Sequence, residues 1–595
     1  MLRRVVPYKP LRSAAWKLSS PQHFSVRAVL PACGGFSVPA RSFSTTIMWM
    51  TAPNVVTADP VLTTEDEQTK LIGVAAQNGD NEAIKTAHAA GGSVNRWDFT
   101  VSAPIHDATI GGHFETVKLL HSLGADLAVL DPQGLSVVDL AARHGQVAIL
   151  QFLKEAGMDI HRSSPGHEHP VFSAALHGHH GCLKFYLDNG VDPNTTEQSE
   201  GNALFMYAAI SRSIVCIRLL AERGVDIETR IDGETVVHLA ASVGDLQMMS
   251  ELQGLGANMF ARRSSDGATP MFLAAREGHG AIIIFLKNLG ADVNEPQEKH
   301  RLAPVHMAAH NGHLKVLQLL KEMGADLRAV TITGATVLYH AAWGGFPQVI
   351  DYLVKEGLDP NESDVEGFTP ISMAAQANHP ECIRTLLRLG ADPKEAGGKK
   401  RTTPVFFAAQ EGHHECIRAL GLKGKELDVP VHGATPLHAA AAAGHSKCVT
   451  ALLEQGADVN KGWVVGEKTT PLYAAAEAGH ADCVEALLKG GADPNSAGLE
   501  EPPPICVATQ SLHVDVVRKL HKYGANLNTG TERGSTALHI AASLGSVDLV
   551  KVLIELGANV HCRNRTDDTP YDLARRKKFN DCQDLLVKAG AKANW

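Results

Sequence analysis

The chain has 595 residues, 44% of them hydrophobic and 20% charged, and a formal net charge of -9. Seven basic residues and no acid fall within residues 1–43, which leaves about -16 on the remainder; that balance excludes a general nucleic-acid binder, which needs a basic footprint. No apolar run approaches the ~18 residues of a membrane span, and the stretch from Ala281 to Leu286 is far too short.

In chain order, the first element is a segment over 1–65 that is expected to be disordered. Its bases are Arg3, Arg4, Lys9, Arg12, Lys17, Arg27 and Arg41, and its first acid is Asp59. A segment rich in Arg, Ser and Ala and free of acids resembles a mitochondrial presequence. Ala40-Arg41-Ser42-Phe43-Ser44 resembles a processing site, with cleavage near Phe43–Ser44. Pro7 and Pro10 interrupt any long amphipathic helix here. The expectation is mitochondrial import through residues 1–43. A start at Met48 or Met50 would instead leave the protein in the cytoplasm or nucleus.

From about residue 66 one pattern recurs to the C terminus. Aligned on a pair of alanines, its first position falls at Lys70, Ala103, Ser136, His169, Ala203, Thr235, Thr269, Ala303, Thr336, Thr369, Thr403, Thr435, Thr470, Pro503, Thr536 and Thr569, sixteen copies spaced 32 to 35 apart. A fixed period in this range marks a solenoid. The Thr hydroxyl suits a helix N-cap, and proline follows where its missing N–H costs nothing. A glycine nine positions on, such as Gly278, Gly412 or Gly444, ends this short first helix in the left-handed conformation. A second helix follows with apolar spacing, as in Cys448, Val449, Leu452 and Leu453, and ends at Gly456 before the Ala457-Asp458-Val459-Asn460 loop. Three copies depart at the turn glycine, with Arg212, Asn378 and Leu512 in its place. They read as local irregularities in the array.

Thr435-Pro436-Leu437-His438-Ala439-Ala440-Ala441, Thr470-Pro471-Leu472-Tyr473 and Thr536-Ala537-Leu538-His539 resemble the ankyrin repeat, and the resemblance covers residues from about 66 to 595. It implies an all-α ankyrin-repeat solenoid of paired antiparallel helices, with hairpin-like finger loops and a concave groove. The end units fit a capping role: the first lacks the signature, and the last runs into Arg575-Arg576-Lys577-Lys578.

No nucleotide loop, zinc-protease helix or nucleophile elbow occurs, so the chain is expected to be no enzyme and to need no cofactor. His177-Gly178-His179-His180-Gly181-Cys182 and His413-His414-Glu415-Cys416 look like metal ligand sets. However, His179 and His413 share their slot with His113, His279, His313, His379, His445, His480 and His513. Zinc needs ligands converging on one point, whereas a repeat spreads them along an axis, so these read as turn residues. His106, His238, His306, His438 and His539 fill the fourth position, which the resemblance implies supports the turn. Cys182, Cys216, Cys382, Cys416, Cys448, Cys483 and Cys582 share one apolar slot. Stacked equivalents lie roughly 8–10 Å apart, too far for a disulfide, so they read as buried thiols of a reduced, intracellular protein.

The family binds through its fingers and the ends of its first helices. The resemblance therefore points to Arg143, His144, Arg276, Glu277, His310, Asn311, Trp343, Gln376, Gln410 and Glu411, with Phe368 on a finger. Trp343 is the sharpest candidate, because a large aromatic is a frequent hot spot; the competing reading is packing between adjacent units. Trp343 and Phe368 are expected to form one apolar patch flanked by Arg276 and His310. Lys399-Lys400-Arg401 is a basic finger, read as a solvated loop ahead of an acidic-partner contact. Trp463, in the loop from Lys461 to Lys468, is a second exposed aromatic. The function expected is a non-enzymatic scaffold or adaptor for protein partners. The alternative is a substrate-receptor or targeting subunit of a ubiquitin ligase or phosphatase.

Overall fold

The computed structural model describes residues 64–95, 102–197, 203–399, 401–462, 469–496 and 502–592. The chain divides into Met1–Leu62 and Thr63–Trp595. The presequence-like stretch, Met48, Met50, Lys400 and Trp463 lie outside the described residues.

The described residues contain 32 α-helices in sixteen consecutive pairs, one short 3-10 turn and no extended strand. The pairs are numbered here as repeats 1 to 16. Repeat 12 shows how the sequence makes one. Thr435 accepts a hydrogen bond from the His438 N–H, Pro436 opens the helix Pro436–Ala443, and Gly444 closes it at φ 81°. The second helix, Ser446–Glu454, buries Cys448, Val449, Ala451 and Leu452. Ala440 and Ala441 are fully buried, and their small side chains let neighbouring first helices approach. One continuous apolar core runs from Ile72 to Ala591; no repeat closes it alone, so stability comes from stacking.

The end units differ from the middle. The first helix of repeat 1 spans Thr64–Asn78, 15 residues, so Lys70 sits inside a helix that begins six positions before the slot assigned to its start. Repeat 16 keeps a full cap: Thr569 accepts from the Asp572 N–H while Asp572 bonds back to the Thr569 N–H. Arg212, Asn378 and Leu512 take the turn all the same, at φ 56°, 63° and 65°, so the pattern holds at the cost of a left-handed backbone on residues with a Cβ. Arg212 is compensated. Its guanidinium reaches Asp245 at 2.7 Å, and Asp245 caps the following helix in the slot other repeats give to histidine. The largest irregularity was not foreseen. In repeat 11 the second helix stops early, as His414–Leu420, and a 3-10 turn over Gly424–Asp428 replaces the usual loop.

The fingers are closed by single antiparallel bridges, among them Leu130 with Ser136, Val330 with Thr336 and Gly530 with Thr536. Among the described residues no helix is long and apolar enough to cross a membrane.

Candidate protein-interaction surface

The last carbonyls of each short first helix lack intrahelical partners. In most repeats the next repeat supplies one. Nε2 of His313 donates to the Arg276 carbonyl at 2.9 Å, His379 to Trp343 at 3.1 Å, His413 to Gln376 at 3.0 Å and His445 to Gln410 at 3.0 Å. The ring lies flat on the preceding turn glycine. A Cβ on Gly278 would stand 2.7 Å from His313 Nδ1, so that glycine is required for close approach as well as for its φ of 86°. The turn-slot histidines are thus turn residues that also stitch one repeat to the next. Among the described residues no three His, Cys, Asp or Glu side chains are placed to hold a metal ion.

The fourth-position histidines stitch in the opposite direction. In repeat 15, Nδ1 of His539 accepts from the Thr536 N–H at 3.2 Å, and Nε2 donates to the Asp568 carbonyl of repeat 16 at 3.0 Å. His238 and His106 are bonded alike, to the carbonyls of Ala268 and Val129. Burial lowers the pKa of each, to about 4 for His306 and His438, and the neutral ring is the form that can both accept and donate here. The seven slot cysteines are buried and free. Burial pushes the thiols of Cys182, Cys382, Cys416, Cys448 and Cys483 up to about 12.

With its backbone used for stacking, the end of each first helix leaves its side chains over. Arg143 is half-buried and His144 exposed. Arg276 is partly spoken for, since its guanidinium meets Glu277 of the same turn at 2.7 Å. His310, Trp343, Gln376 and Gln410 follow, one per repeat, with Gln376 and Glu411 exposed and Gln410 Nε2 3.4 Å from Glu411. Asn311 turns back onto the Met307 carbonyl at 3.0 Å.

Trp343 is half-buried. Its ring stands edge-on to His310 of repeat 8 at 5.3 Å and to Tyr339 at 6.5 Å, and is tilted against His340 at 6.0 Å. His340 in turn meets His306 at 5.4 Å. The joint between repeats 8 and 9 is therefore an aromatic cluster with three neutral imidazoles in it. His306 Nε2, His310 Nδ1 and His340 Nε2 are buried without a geometrically formed hydrogen bond among the described residues, although the His306 ring lies near the backbone of Ala329 and Ala335 and the His310 ring near that of His340. Desolvation lowers the His310 pKa and drives that of His340 well below 6.5. Trp343 packs between units and also presents surface.

Phe368 belongs to a different cluster. Its ring meets Phe407 of the next repeat at 5.6 Å and covers Gly397 and Gly398. The single patch expected of Trp343 and Phe368 is two separate ring clusters, each centred on a different joint, because each aromatic packs across its own inter-repeat boundary.

One set of residues escaped the sequence reading. The loop asparagine of one repeat clamps the next: Asn294 accepts from the Asp326 N–H at 2.8 Å and donates to the Gly324 carbonyl at 3.1 Å, and Asn361 does the same to Asp392 and Gly390. The recurrence of Asn after Gly-Ala-Asp was visible, but its forward reach was not.

Comparison with known proteins agrees with this geometry. A family model described as ankyrin repeats, three copies, matches residues 72–164, 171–262, 225–297, 305–397, 395–462, 432–498, 459–531 and 505–594. Among solved structures, the crystal structure of the human ASB11 ankyrin repeat domain is similar, with 26% sequence identity and a TM-score of 0.30, covering 43% of this chain and 99% of that one. No curated protein matches. Sixteen helix pairs, fingers closed by single bridges and a family match that spans nearly the whole array place the chain in the ankyrin-repeat family.

Proposed function

We propose that the chain is a non-enzymatic scaffold or adaptor that binds partner proteins through the ends of its first helices and its fingers. The observation that supports this is a division of labour. At Arg276, Trp343, Gln376 and Gln410 the backbone carbonyl is consumed by the neighbouring histidine, while the side chain is left on the surface row. A surface held this way is preorganised, which lowers the ordering cost of association. The acid-free composition of residues 1–43 supports delivery to mitochondria.

Proximity labelling with the full chain tagged at its C terminus tests both statements, alongside a form starting at Met48 and a Trp343→Ala variant. Mitochondrial partners for the full chain alone uphold the targeting reading; one shared cytosolic set refutes it. Partners lost with Trp343→Ala uphold the first-helix row as the docking face, and an unchanged set removes Trp343 from it.

A further inference from the structure

The fingers of repeats 6 to 11 are joined backbone to backbone. Ser264 N–H donates to the Gly233 carbonyl at 3.0 Å, Glu298 to Asp266 at 2.9 Å, Ile332 to His300 at 3.0 Å and Val365 to Thr333 at 2.9 Å, and Gly398 donates to Glu366. The run forms a stiff, preformed edge. Within it, Val365 and Ile332 sit on adjacent tips and are 76% and 61% exposed, the two most exposed large apolar side chains among the described residues. The next finger on either side carries exposed bases, Lys399 and Arg401 after and Lys299 and Arg301 before, the latter two beside Glu295 and Glu298, whose carboxylates are engaged by Arg262. The four bases make no ion pair among the described residues.

The two arginines carry a further signal. Two positions before the Thr slot, most fingers place a glycine with positive φ, as at Gly134, Gly267, Gly334, Gly367 and Gly534. Arg301 and Arg401 hold that left-handed conformation at φ 54° and 49°. Asp567 does so as well, but a short polar side chain tolerates it better than arginine does. Strain kept where glycine would relieve it points to use of the side chain, and it occurs on the two fingers that flank the apolar tips.

Resting on the scaffold reading above, we infer that fingers 8 to 11 form a docking edge for an extended acidic segment of a partner protein. Two carboxylate clusters would meet the flanking bases, with one or two bulky apolar side chains between them on Ile332 and Val365. Three inter-repeat steps of about 8–10 Å each span about seven to nine residues of extended chain at ~3.3 Å per residue, which sets the separation of the two clusters. Glu362 and Glu366 lie exposed on the Val365 finger with no ion pair among the described residues and repel carboxylates there, whereas Glu298 at the end is paired with Arg262, so the acids belong at the ends. Apolar tips and a central glutamate in an array of about -16 disfavour a phosphate backbone.

The test is fluorescence anisotropy of the full chain with a dye-labelled synthetic peptide. The peptide carries two glutamates at each end and a leucine–phenylalanine pair at its centre. Binding should weaken steeply from about 50 to about 300 mM salt and vanish when the glutamates are replaced by lysine. It should fall at least about ten-fold both in the Arg301→Gly/Arg401→Gly variant and in Ile332→Ser/Val365→Ser. The melting temperature of the arginine variant should be unchanged or raised, which separates lost binding from lost folding. No measurable binding, equal binding by the variants, or tighter binding of an oligouridylate than of the peptide overturns the proposal. Proteins co-purified with the full chain distinguish the two levels: if the arginine variant retains them, the docking edge falls and the scaffold reading stands, whereas if the parent chain captures none, the scaffold reading itself fails.

Discussion

Lowering the pH from 7.5 to 5.0 should loosen repeats 8 and 12 more than repeat 14. His306 and His438 are buried, and desolvation holds their pKa at about 4, against roughly 6.5 when unfolded. The folded pKa is depressed, so the unfolded chain binds more protons below 6.5. Stability is intact above that value, falls as pH drops through the interval, and levels off near 4. At pH 5.0 an unfolded imidazole is almost fully protonated while the folded ring stays about nine-tenths neutral, a difference of about 2 kcal/mol for each. His340 and His310, also lowered by burial in the joint of repeats 8 and 9, act in the same direction. Asp364, raised by desolvation, has the opposite sign and offsets part of the loss in repeat 10. A long repeat array does not unfold in one step, so the assay is hydrogen exchange read by peptide, corrected for intrinsic rates. Peptides over 303–312 and 435–444 should lose protection relative to 503–512, whose fourth position is Cys506. Equal losses in all three would refute the reasoning.

Further expectations concern single sites. Leu512→Gly relieves a left-handed φ of 65° on a side chain that is 54% exposed and should raise stability by about 0.5–1 kcal/mol in a denaturant titration; a lower midpoint contradicts it. Asn294→Ala removes both arms of a clamp and should cost about 1–2 kcal/mol, seen as faster exchange at 324–328. In native protein a maleimide should reach Cys562, which is half-buried, well before Cys182, Cys382, Cys416, Cys448 or Cys483, which are fully buried; simultaneous labelling would show that the joints breathe together.

The features internal to one repeat were legible in the sequence, because they rest on short-range chemistry. Thr435, Pro436 and Gly444 each do locally what their type does best, and the period placed the buried cysteines and the turn histidines in their slots. What crosses a joint was harder to read. The partner of Trp343 is His310, and that of Phe368 is Phe407, because contact between repeats depends on rotamer and stacking offset, which a period does not encode. Arg212 and Asp245 are two departures from the pattern, 33 residues apart, that make sense only as a pair. The long helix Thr64–Asn78 hid behind an alignment that assumed every unit begins alike. Gln376 is exposed and Gln410 half-buried, and the carbonyls of both have a structural use that side-chain reasoning overlooked.

The paired stitching sets how such a chain can change length. A turn histidine reaches back one unit, and a loop asparagine reaches forward one. Duplicating or deleting a whole unit therefore leaves every donor facing an acceptor of the same kind, and the ends alone must be re-finished. A single inserted residue between the two stitches throws both out of register. Length differences between units fall outside that span: Ala303 follows Asn294 by nine positions, Thr369 follows Asn361 by eight and Thr435 follows Asp428 by seven. Within the span repeat 11 keeps the count although its second helix ends early at Leu420, because a 3-10 turn carries the chain to Asp428, which accepts from the Asp458 N–H in place of the usual asparagine. The array can grow in whole units and drift in its loops, but it has little tolerance for anything in between.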